Sequence, residues 1–245
     1  MNYRRRIFIM FEQFSINNTA KAANIDAGLR AHFLRVYNYM ASALILTGLV
    51  AYFAASSEGF LNLMFNEQGG RSGLAWVVMF APLGMVIFLS VRLNALSEQA
   101  VKMAFWAYAF LMGLSLFYVF AAFTGASIAR VFFITAGTFG AMSLYGYSTK
   151  KDLTGMGSFL MMGLIGLIIA SIVNIFMQSS ALQFALSIIG VLIFVGLTAY
   201  DTQKIKAIYY QNGASEKNAV MGALTLYMDF INIFLQLLHL FGERE

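Results

Sequence analysis

The chain has 245 residues, of which 60% are hydrophobic and only 11% are charged, and its mean hydropathy is +0.73. Soluble globular proteins carry about 25% charged residues, so this composition excludes that class and indicates an integral membrane protein. The formal charge of +5 would suggest nucleic acid as a partner of a soluble domain, but in a membrane protein basic residues mark the cytoplasmic side. We therefore expect the lipid bilayer and not nucleic acid as the partner.

The sequence has no cysteine and only two histidines, His32 and His239. Disulfides, thiolate metal sites and cysteine nucleophiles are thereby excluded, and a histidine-rich metal centre is disfavoured. No serine-hydrolase elbow, metalloprotease helix motif or phosphate-binding glycine-rich loop is present either. These absences predict a protein that is not an enzyme and that needs no cofactor.

Residues 1–31 read as a polar, partly helical cytoplasmic tail, and residues 32–245 as one transmembrane domain without an inserted soluble domain. Each apolar segment in that domain is as long as the ~20 residues that cross a ~30 Å hydrocarbon core as a helix. The alternation expected of outer-membrane strands is missing. The predicted fold is an all-α membrane protein with seven transmembrane helices, at about 34–55, 74–94, 101–123, 128–147, 156–178, 181–201 and 219–241.

The distribution of Lys and Arg predicts the orientation of the helices, because cytoplasmic loops carry an excess of both. Three basic residues fall on one side: Arg71, Arg130 and Arg244. Thirteen fall on the other: Arg4, Arg5, Arg6, Lys21, Arg30, Arg35, Arg92, Lys102, Lys150, Lys151, Lys204, Lys206 and Lys217. We therefore expect a cytoplasmic N-terminus and, after seven crossings, an external C-terminus.

Asp201 and Asp229 are the only acidic residues inside the long apolar segments. A carboxylate at membrane depth costs at least ~2.5 kcal/mol on insertion scales, so it is found where it faces a bundle interior, a cavity or a partner. Asp229 lies about ten residues inside the last segment and cannot easily reach the interface. The functional site is therefore expected at these two aspartates.

The last segment also carries a polar stripe, because its polar and small residues recur at alternating spacings of three and four. This face should turn toward other helices or water, since lipid cannot solvate it. Thr225, Asn232 and Gln236 are candidate pore-lining residues, although Asn232 and Gln236 could instead be interhelical hydrogen-bonding residues. The stripe consists of Asn218, Gly222, Thr225, Asp229, Asn232, Gln236, His239 and Glu243.

Arg92 ends the second segment on the same side of the membrane as Asp201, which ends the sixth. Two buried carboxylates need nearby positive charge or protons, and Arg92 is the best-placed permanent cation. Arg92 could be only a positive-inside anchor, and Asp201 could pair with its own Lys204. With Asp229 on the next helix, we expect Asp201 to pair with Asp229 and Arg92 to engage Asp201.

Nearly the whole chain resembles the transmembrane Bax inhibitor motif family, in particular its bacterial members. The most specific motifs are DAGLR at 26–30, RVYNYM at 35–40, LTAYD at 197–201 and ALTLYMDFIN at 223–232. The resemblance implies six helices packed around a central seventh, and an aspartate pair that acts as a pH sensor controlling a calcium leak. Carried over by motif, the pair is Asp201 and Asp229, and the arginine that engages it is Arg92.

The expected mechanism is a passive, pH-gated cation leak. Like charges ~4 Å apart repel by about 4 kcal/mol at an effective dielectric of ~20, so the two carboxyls should share one proton and titrate as a unit. Gain or loss of that proton would bias two packings of the helices. When deprotonated, the carboxyl oxygens of Asp201 and Asp229 could coordinate a hard cation such as calcium, which would be the transported ion.

Two other functions remain open at this point. An intramembrane aspartyl protease also uses two aspartates on consecutive spans, one in a context like Tyr200-Asp201, but it flanks its second aspartate with glycine and carries a proline motif downstream. Here Leu226-Tyr227-Met228 precedes Asp229, and Pro82 is the only proline. The other alternative is a regulator that does not transport ions and binds a membrane protease or quality-control complex through its basic tail.

Overall fold

The computed structural model describes the backbone of residues 2–66, 70–93 and 95–244, and their side chains from residue 27 onward. This part of the chain is helical apart from turns and two isolated bridges, Phe65 with Arg71 and Phe123 with Arg244. The all-α prediction is therefore confirmed. The helices are α1 (Asn2–Ser56), α2 (Glu58–Met64), α3 (Gly73–Arg92), α4 (Glu98–Ser115), α5 (Phe117–Ala122), α6 (Gly125–Ser148), α7 (Thr154–Met177), α8 (Ser180–Asn212) and α9 (Glu216–Phe241).

Seven segments of the described residues are long and apolar enough to cross a membrane, as predicted. They are Ala27–Ser56 of α1, Glu98–Ala122 across α4 and α5, and the whole of α3, α6, α7, α8 and α9. The predicted limits agree to within a few residues, except at the first span, which begins at Ala27 and not at 34, and at α8. That helix continues to Asn212 instead of ending at Asp201, so Asp201 lies inside the helix with three turns after it.

Hydroxyl side chains fix where most of the helices begin. The side chain of the residue before the helix accepts a hydrogen bond from the backbone N–H three residues later and so satisfies one of the unpaired donors of the first turn. The residues that cap helices in this way are Ser57, Ser72, Ser97, Thr124, Ser179 and Ser215. At the other end of α8, Gly213 has a φ of +73°, a conformation that glycine adopts without a steric penalty.

The last helix, α9, is the most buried of the seven spans, with 67% of its apolar window inside the bundle. It packs against α1, α4, α6 and α8. By contrast, α7 packs only on α8, and α3 packs only on α4 and the short α2 within the described residues. Four of the six other spans thus contact α9, and a complete ring of six around it stays a prediction.

Two glycines bring α6 and α7 close to α8 beside Asp201. A Cβ atom added at Gly146 of α6 would overlap the carbonyl oxygen of Ala199, and one added at Gly157 of α7 would overlap the ring of Tyr200. Both contacts fall within two residues of Asp201. Glycine at these positions therefore sets how closely α6 and α7 pack against the helix that carries this aspartate.

Candidate functional site

Asp201 of α8 and Asp229 of α9 come together between the two helices. The side chains are 9% and 4% exposed, and their carboxyl groups lie close enough to each other for a hydrogen bond. Two carboxylates that were both charged could not form this bond, because each would offer only acceptors. A hydrogen bond between them therefore requires a proton on one of the two. Oδ2 of Asp229 is buried and accepts no hydrogen bond from a donor group of the described residues.

Two threonines flank Asp201 along α8, and their hydroxyl groups donate to backbone carbonyls of the same helix. Thr198 and Thr202, one turn before and directly after it, donate to the backbone carbonyls of Phe194 and Thr198 at 2.8 and 2.7 Å. A chain of hydroxyls continues outward from Thr202 through Ser143 at 2.9 Å to Tyr37 at 2.6 Å between these oxygens. This chain connects α1 and α6 to the turn of α8 that holds the aspartate.

A cavity of about 230 Å³, here called the chamber, reaches Asp201 from the end of the bundle where the lysines cluster. That end, the lysine-rich end, carries Lys102, Lys150, Lys151, Lys204, Lys206 and Lys217. The polar residues of the chamber are His32, Asp201, Lys204, Asn218 and Thr225; the rest are Leu93, Ile205, Ile208, Met221 and Gly222. Asp229 lies deeper than the chamber and meets it through Asp201.

Glu216, the first residue of α9, joins three spans at the lysine-rich end. Its carboxylate accepts hydrogen bonds from Arg35 and Tyr39 of α1, both at 3.0 Å, and forms an ion pair with Lys102 of α4 at 3.2 Å. We call these four residues the Glu216 clamp. The clamp fixes the beginning of the helix that carries Asp229 against α1 and α4.

The candidate pore-lining residues lie at different depths of α9. Thr225 lines the chamber, and its hydroxyl donates to the carbonyl of Met221 at 3.1 Å. Asn232 lies beyond Asp229 and donates from its amide nitrogen to the carbonyl of Met228 at 2.8 Å. Gln236 lies one turn further along, near Gly190 of α8, with its Oε1 buried and without a described partner. Their role in a pore stays a prediction.

Arg92 lies exposed at the end of α3 and takes part in none of the ion pairs of the described residues. Lys204, on the same helix as Asp201, lines the chamber together with it but forms no ion pair with it. The pairing of Arg92 with Asp201 stays a prediction.

The two aspartates can supply only part of the coordination of a metal ion. Calcium takes six to eight oxygen ligands. Within the described residues no group of three or more His, Asp or Glu side chains could hold a metal ion together. A calcium ion at the pair would therefore have to take most of its ligands from water or from backbone carbonyls.

Sequence reasoning missed two parts of this site, His32 and the Glu216 clamp. The signal that could have found them is the spacing of His32, Arg35 and Tyr39, which places three polar side chains on one face of an apolar helix. His239, in contrast, is exposed at the opposite end of the bundle and contacts Phe123 edge-on with ring centroids 6.5 Å apart.

Comparison with known proteins matches residues 29–245 to the family described as inhibitor of apoptosis-promoting Bax1. An uncharacterised protein of Rickettsia prowazekii is 51% identical over 94% of this chain and 97% of its own length. The inner membrane protein YbhL of Escherichia coli K12 is 47% identical over 89% of this chain and 94% of its own. An uncharacterised protein of Caulobacter vibrioides is 47% identical over 91% of this chain and 92% of its own.

Proposed function

Since this chain belongs to the Bax inhibitor-like family, we propose that it is a passive, pH-controlled cation leak channel of a bacterial inner membrane, with calcium as a transported ion. The observation that carries the proposal is the contact between the carboxyl groups of Asp201 and Asp229 inside an apolar bundle. Such a contact exists only while a proton is shared, so the packing of the two helices depends on protonation.

The gate is the interface between α8 and α9. These two helices pack along their length, and the shared proton holds them together at the level of the pair. When the proton is lost, two like charges face each other in a low-dielectric interior, and repulsion of about 4 kcal/mol at an effective dielectric of ~20 favours a different packing. A cation that binds the charged carboxyls relieves the same repulsion.

The conduction path follows the polar face of α9. The chamber leads from the lysine-rich end to Asp201, and Asn232 and Gln236 continue the same face beyond Asp229. With the excess of basic residues on the cytoplasmic side, the chamber opens to the cytoplasm and the pair separates it from the outer half of the path. Arg92, at the cytoplasmic end of α3, competes with the proton for Asp201 when α3 moves inward.

Calcium entry into proteoliposomes, measured with an enclosed dye across a pH series, tests this function. We expect the parent protein to show a leak that changes several-fold with pH. The Asp201→Asn and Asp229→Asn variants should each show a leak that changes much less with pH, because an amide carries no charge to repel the remaining carboxylate when that group ionises.

Asp152→Asn is the matched control for this assay. Asp152 is exposed at the lysine-rich end, and hydrogen bonds from Thr154 hold the pKa of its carboxyl below the usual range. It stays ionised throughout the series, so its replacement should leave the pH profile unchanged. Identical pH profiles for the parent and both aspartate variants of the pair would rule out the proposed sensor.

A further inference from the structure

The helices α1 and α6 both pack against α9, but they do not pack against each other. No pair of their described Cα atoms lies within 8 Å. Two side-chain contacts cross the gap toward the lysine-rich end. The rings of Phe33 and Tyr147 meet edge-on with centroids 4.9 Å apart, and the hydroxyls of Tyr37 and Ser143 form a hydrogen bond at 2.6 Å between the oxygens. A groove on the outside of the bundle follows this gap.

The groove, here called the α1–α6 groove, is large and mostly apolar. Its volume of about 470 Å³ falls within the roughly 300 to 1,000 Å³ of clefts that hold small ligands. Leucine side chains and aromatic rings form most of its lining, and the hydroxyls of Tyr37 and Ser143 are already bonded to each other. A polar solute would lose hydrogen bonds to water on entering such a groove, whereas an apolar chain would not.

Gly140 of α6 leaves part of the groove empty. A Cβ atom built on this residue meets nothing within 4 Å, and the same holds for Gly137, one turn earlier on the helix. Gly140 lines the groove, whereas Gly137 is exposed outside it. The space beside Gly140 is therefore free for part of another molecule, and Gly137 offers a comparison site on the same helix.

Arg30 places a positive charge at one end of the groove. It is exposed three residues after the beginning of the first span, at the level of the membrane surface. It enters no ion pair with any side chain that the structure describes, and no carboxylate is found among the described residues that line the groove. A second cation, Lys206, lies beside Tyr147, with its Nζ 5.3 Å from the centre of that ring. Positive charge at the surface above an apolar groove is the complement of a phospholipid with an anionic headgroup.

We propose that the α1–α6 groove binds one anionic phospholipid from the leaflet on the lysine-rich side. The guanidinium of Arg30 donates hydrogen bonds to the phosphate oxygens, and an acyl chain lies along the rings of Phe33 and Phe139 and fills the space beside Gly140. Seven residues separate Arg30 from Tyr37, so the chain has ~10 Å of groove below the headgroup. A zwitterionic headgroup is disfavoured because its own cation opposes Arg30. The site does not depend on ion conduction, so it stands apart from the proposed function.

Quenching of tryptophan fluorescence by brominated lipids tests the site. The chain has only two tryptophans, so Trp76→Phe and Trp106→Phe give a dark background, and Leu144→Trp places one reporter in the groove. Vesicles that mix phosphatidylglycerol with phosphatidylcholine, with one or the other brominated, give the relative affinity of the two lipids for the groove. We expect phosphatidylglycerol to be preferred about fivefold, the factor that one basic residue near the membrane surface produces.

Arg30→Ala in this reporter protein should abolish the preference, so that both lipids quench equally well. Lys150→Ala is the matched control, because Lys150 carries the same charge at the same end of the bundle but lies outside the groove. It should leave the preference of the reporter protein unchanged. The comparison separates a headgroup held by Arg30 from the diffuse attraction of anionic lipid to a basic surface.

Mass spectrometry of the protein released from detergent micelles gives a second measurement, on the chain with its own tryptophans. We expect one phosphatidylglycerol molecule to stay bound to the parent protein. Gly140→Leu, which fills the groove, should lower the fraction of protein that retains this lipid several-fold. Gly137→Leu adds the same side chain to the same helix outside the groove and should keep the parental fraction.

Three results would overturn the inference. The first is equal quenching by the two lipids in the Leu144→Trp protein, and the second is a preference that Arg30→Ala and Lys150→Ala reduce to the same extent. The third is no quenching by either lipid, which would show that a protein surface, such as a second copy of this chain, covers the groove. If Leu144→Trp does not fold, equal lipid retention by Gly140→Leu and Gly137→Leu still refutes the site.

Discussion

Thr47, Ala109 and Tyr227 form a hydrogen-bonded link among three spans in the apolar part of the bundle. The hydroxyl of Thr47 in α1 donates to the carbonyl of Ala109 in α4 at 2.8 Å, and the hydroxyl of Tyr227 in α9 then donates to Thr47 at 2.7 Å between the oxygens. Tyr227 is fully buried. Because Thr47 has a single hydroxyl hydrogen, the direction of the chain is fixed by its bond to Ala109.

The direction of this chain predicts unequal effects for two conservative changes. Tyr227→Phe removes only the last donor and leaves no polar group unpaired, so it should cost about 0.5 to 1 kcal/mol. Thr47→Val leaves the buried Tyr227 hydroxyl without its acceptor and should cost about 1 to 3 kcal/mol. Unfolding in detergent should therefore show the lower Tm for Thr47→Val. Equal Tm values, or a lower Tm for Tyr227→Phe, would contradict the assigned direction.

At the residue scale, the sequence alone identified the two aspartates of the site but not the residues around them. Asp201 and Asp229 stand out because a carboxylate inside an apolar segment has an intrinsic cost that needs no knowledge of the fold. His32 lies near the beginning of the first span and Glu216 begins the last, at depths where polar residues are ordinarily solvated. Only the packing of α1, α8 and α9 shows that His32 is enclosed and that Glu216 joins three spans.

At the scale of helices, Gly146 and Gly140 of α6 give a matched pair of substitutions. A methyl group at Gly146 would overlap the backbone of Ala199 and force α6 away from α8, whereas Gly140 has nothing within 4 Å of such a group. Gly146→Ala should therefore lower the Tm by several degrees. Gly140→Ala should leave it unchanged or raise it slightly, since alanine is favoured over glycine in a helix by ~0.5 to 1 kcal/mol.

The same pair bears on the aspartates, because Ala199 lies two residues before Asp201. If close packing of α6 holds α8 in place, Gly146→Ala should also shift the frequency of the infrared band from the protonated carboxyl group of the aspartate pair. Gly140→Ala should leave that band unchanged. A stable Gly146→Ala protein with the parental band would show that the position of Asp201 does not depend on this contact.

The end of α8 shows the limit of reading helices from hydropathy. Asp201 followed by Lys204 and Lys206 looks like the end of a membrane segment, and the sequence therefore predicted the helix to end there. The helix continues because Ile205 is still buried against α9, and the lysines face outward or reach backbone carbonyls, as Lys206 does with Tyr147 at 2.8 Å. Hydropathy indicates where a segment stops being apolar enough for lipid. The helix itself ends later, at its C-cap residue Gly213.

At the scale of the whole molecule, the Glu216 clamp holds the packing in which α9 is pinned to α1 and α4. Its side chains are partly exposed, 44% for Arg35 and 25% for Glu216, so each ion pair contributes at most ~1 kcal/mol. Glu216→Gln removes the charge from both pairs at once. If the clamped packing is the closed one, the calcium leak at fixed pH should rise by about fivefold, the factor that ~1 kcal/mol produces.

Glu243→Gln is the control for this change. Glu243 pairs with Arg130 at 2.8 Å at the opposite end of the bundle, and its side chain is 67% exposed. The leak should stay at the parental rate in this variant. A leak that rises equally in both variants would mean that general loosening of the bundle, and not release of the beginning of α9, controls the flux.

The peripheral position of α3 makes lipid its main neighbour. Only 17% of its apolar window is buried in the protein, and its 20 residues measure ~30 Å, the thickness of an average hydrocarbon core. It has no surplus length with which to tilt, so a thicker bilayer would draw its ends into hydrocarbon at a cost of fractions of a kcal/mol per ångström. Acyl-chain length therefore acts directly on the helix that carries Arg92. We expect the thickness of the surrounding membrane to influence the distance between this arginine and the two aspartates.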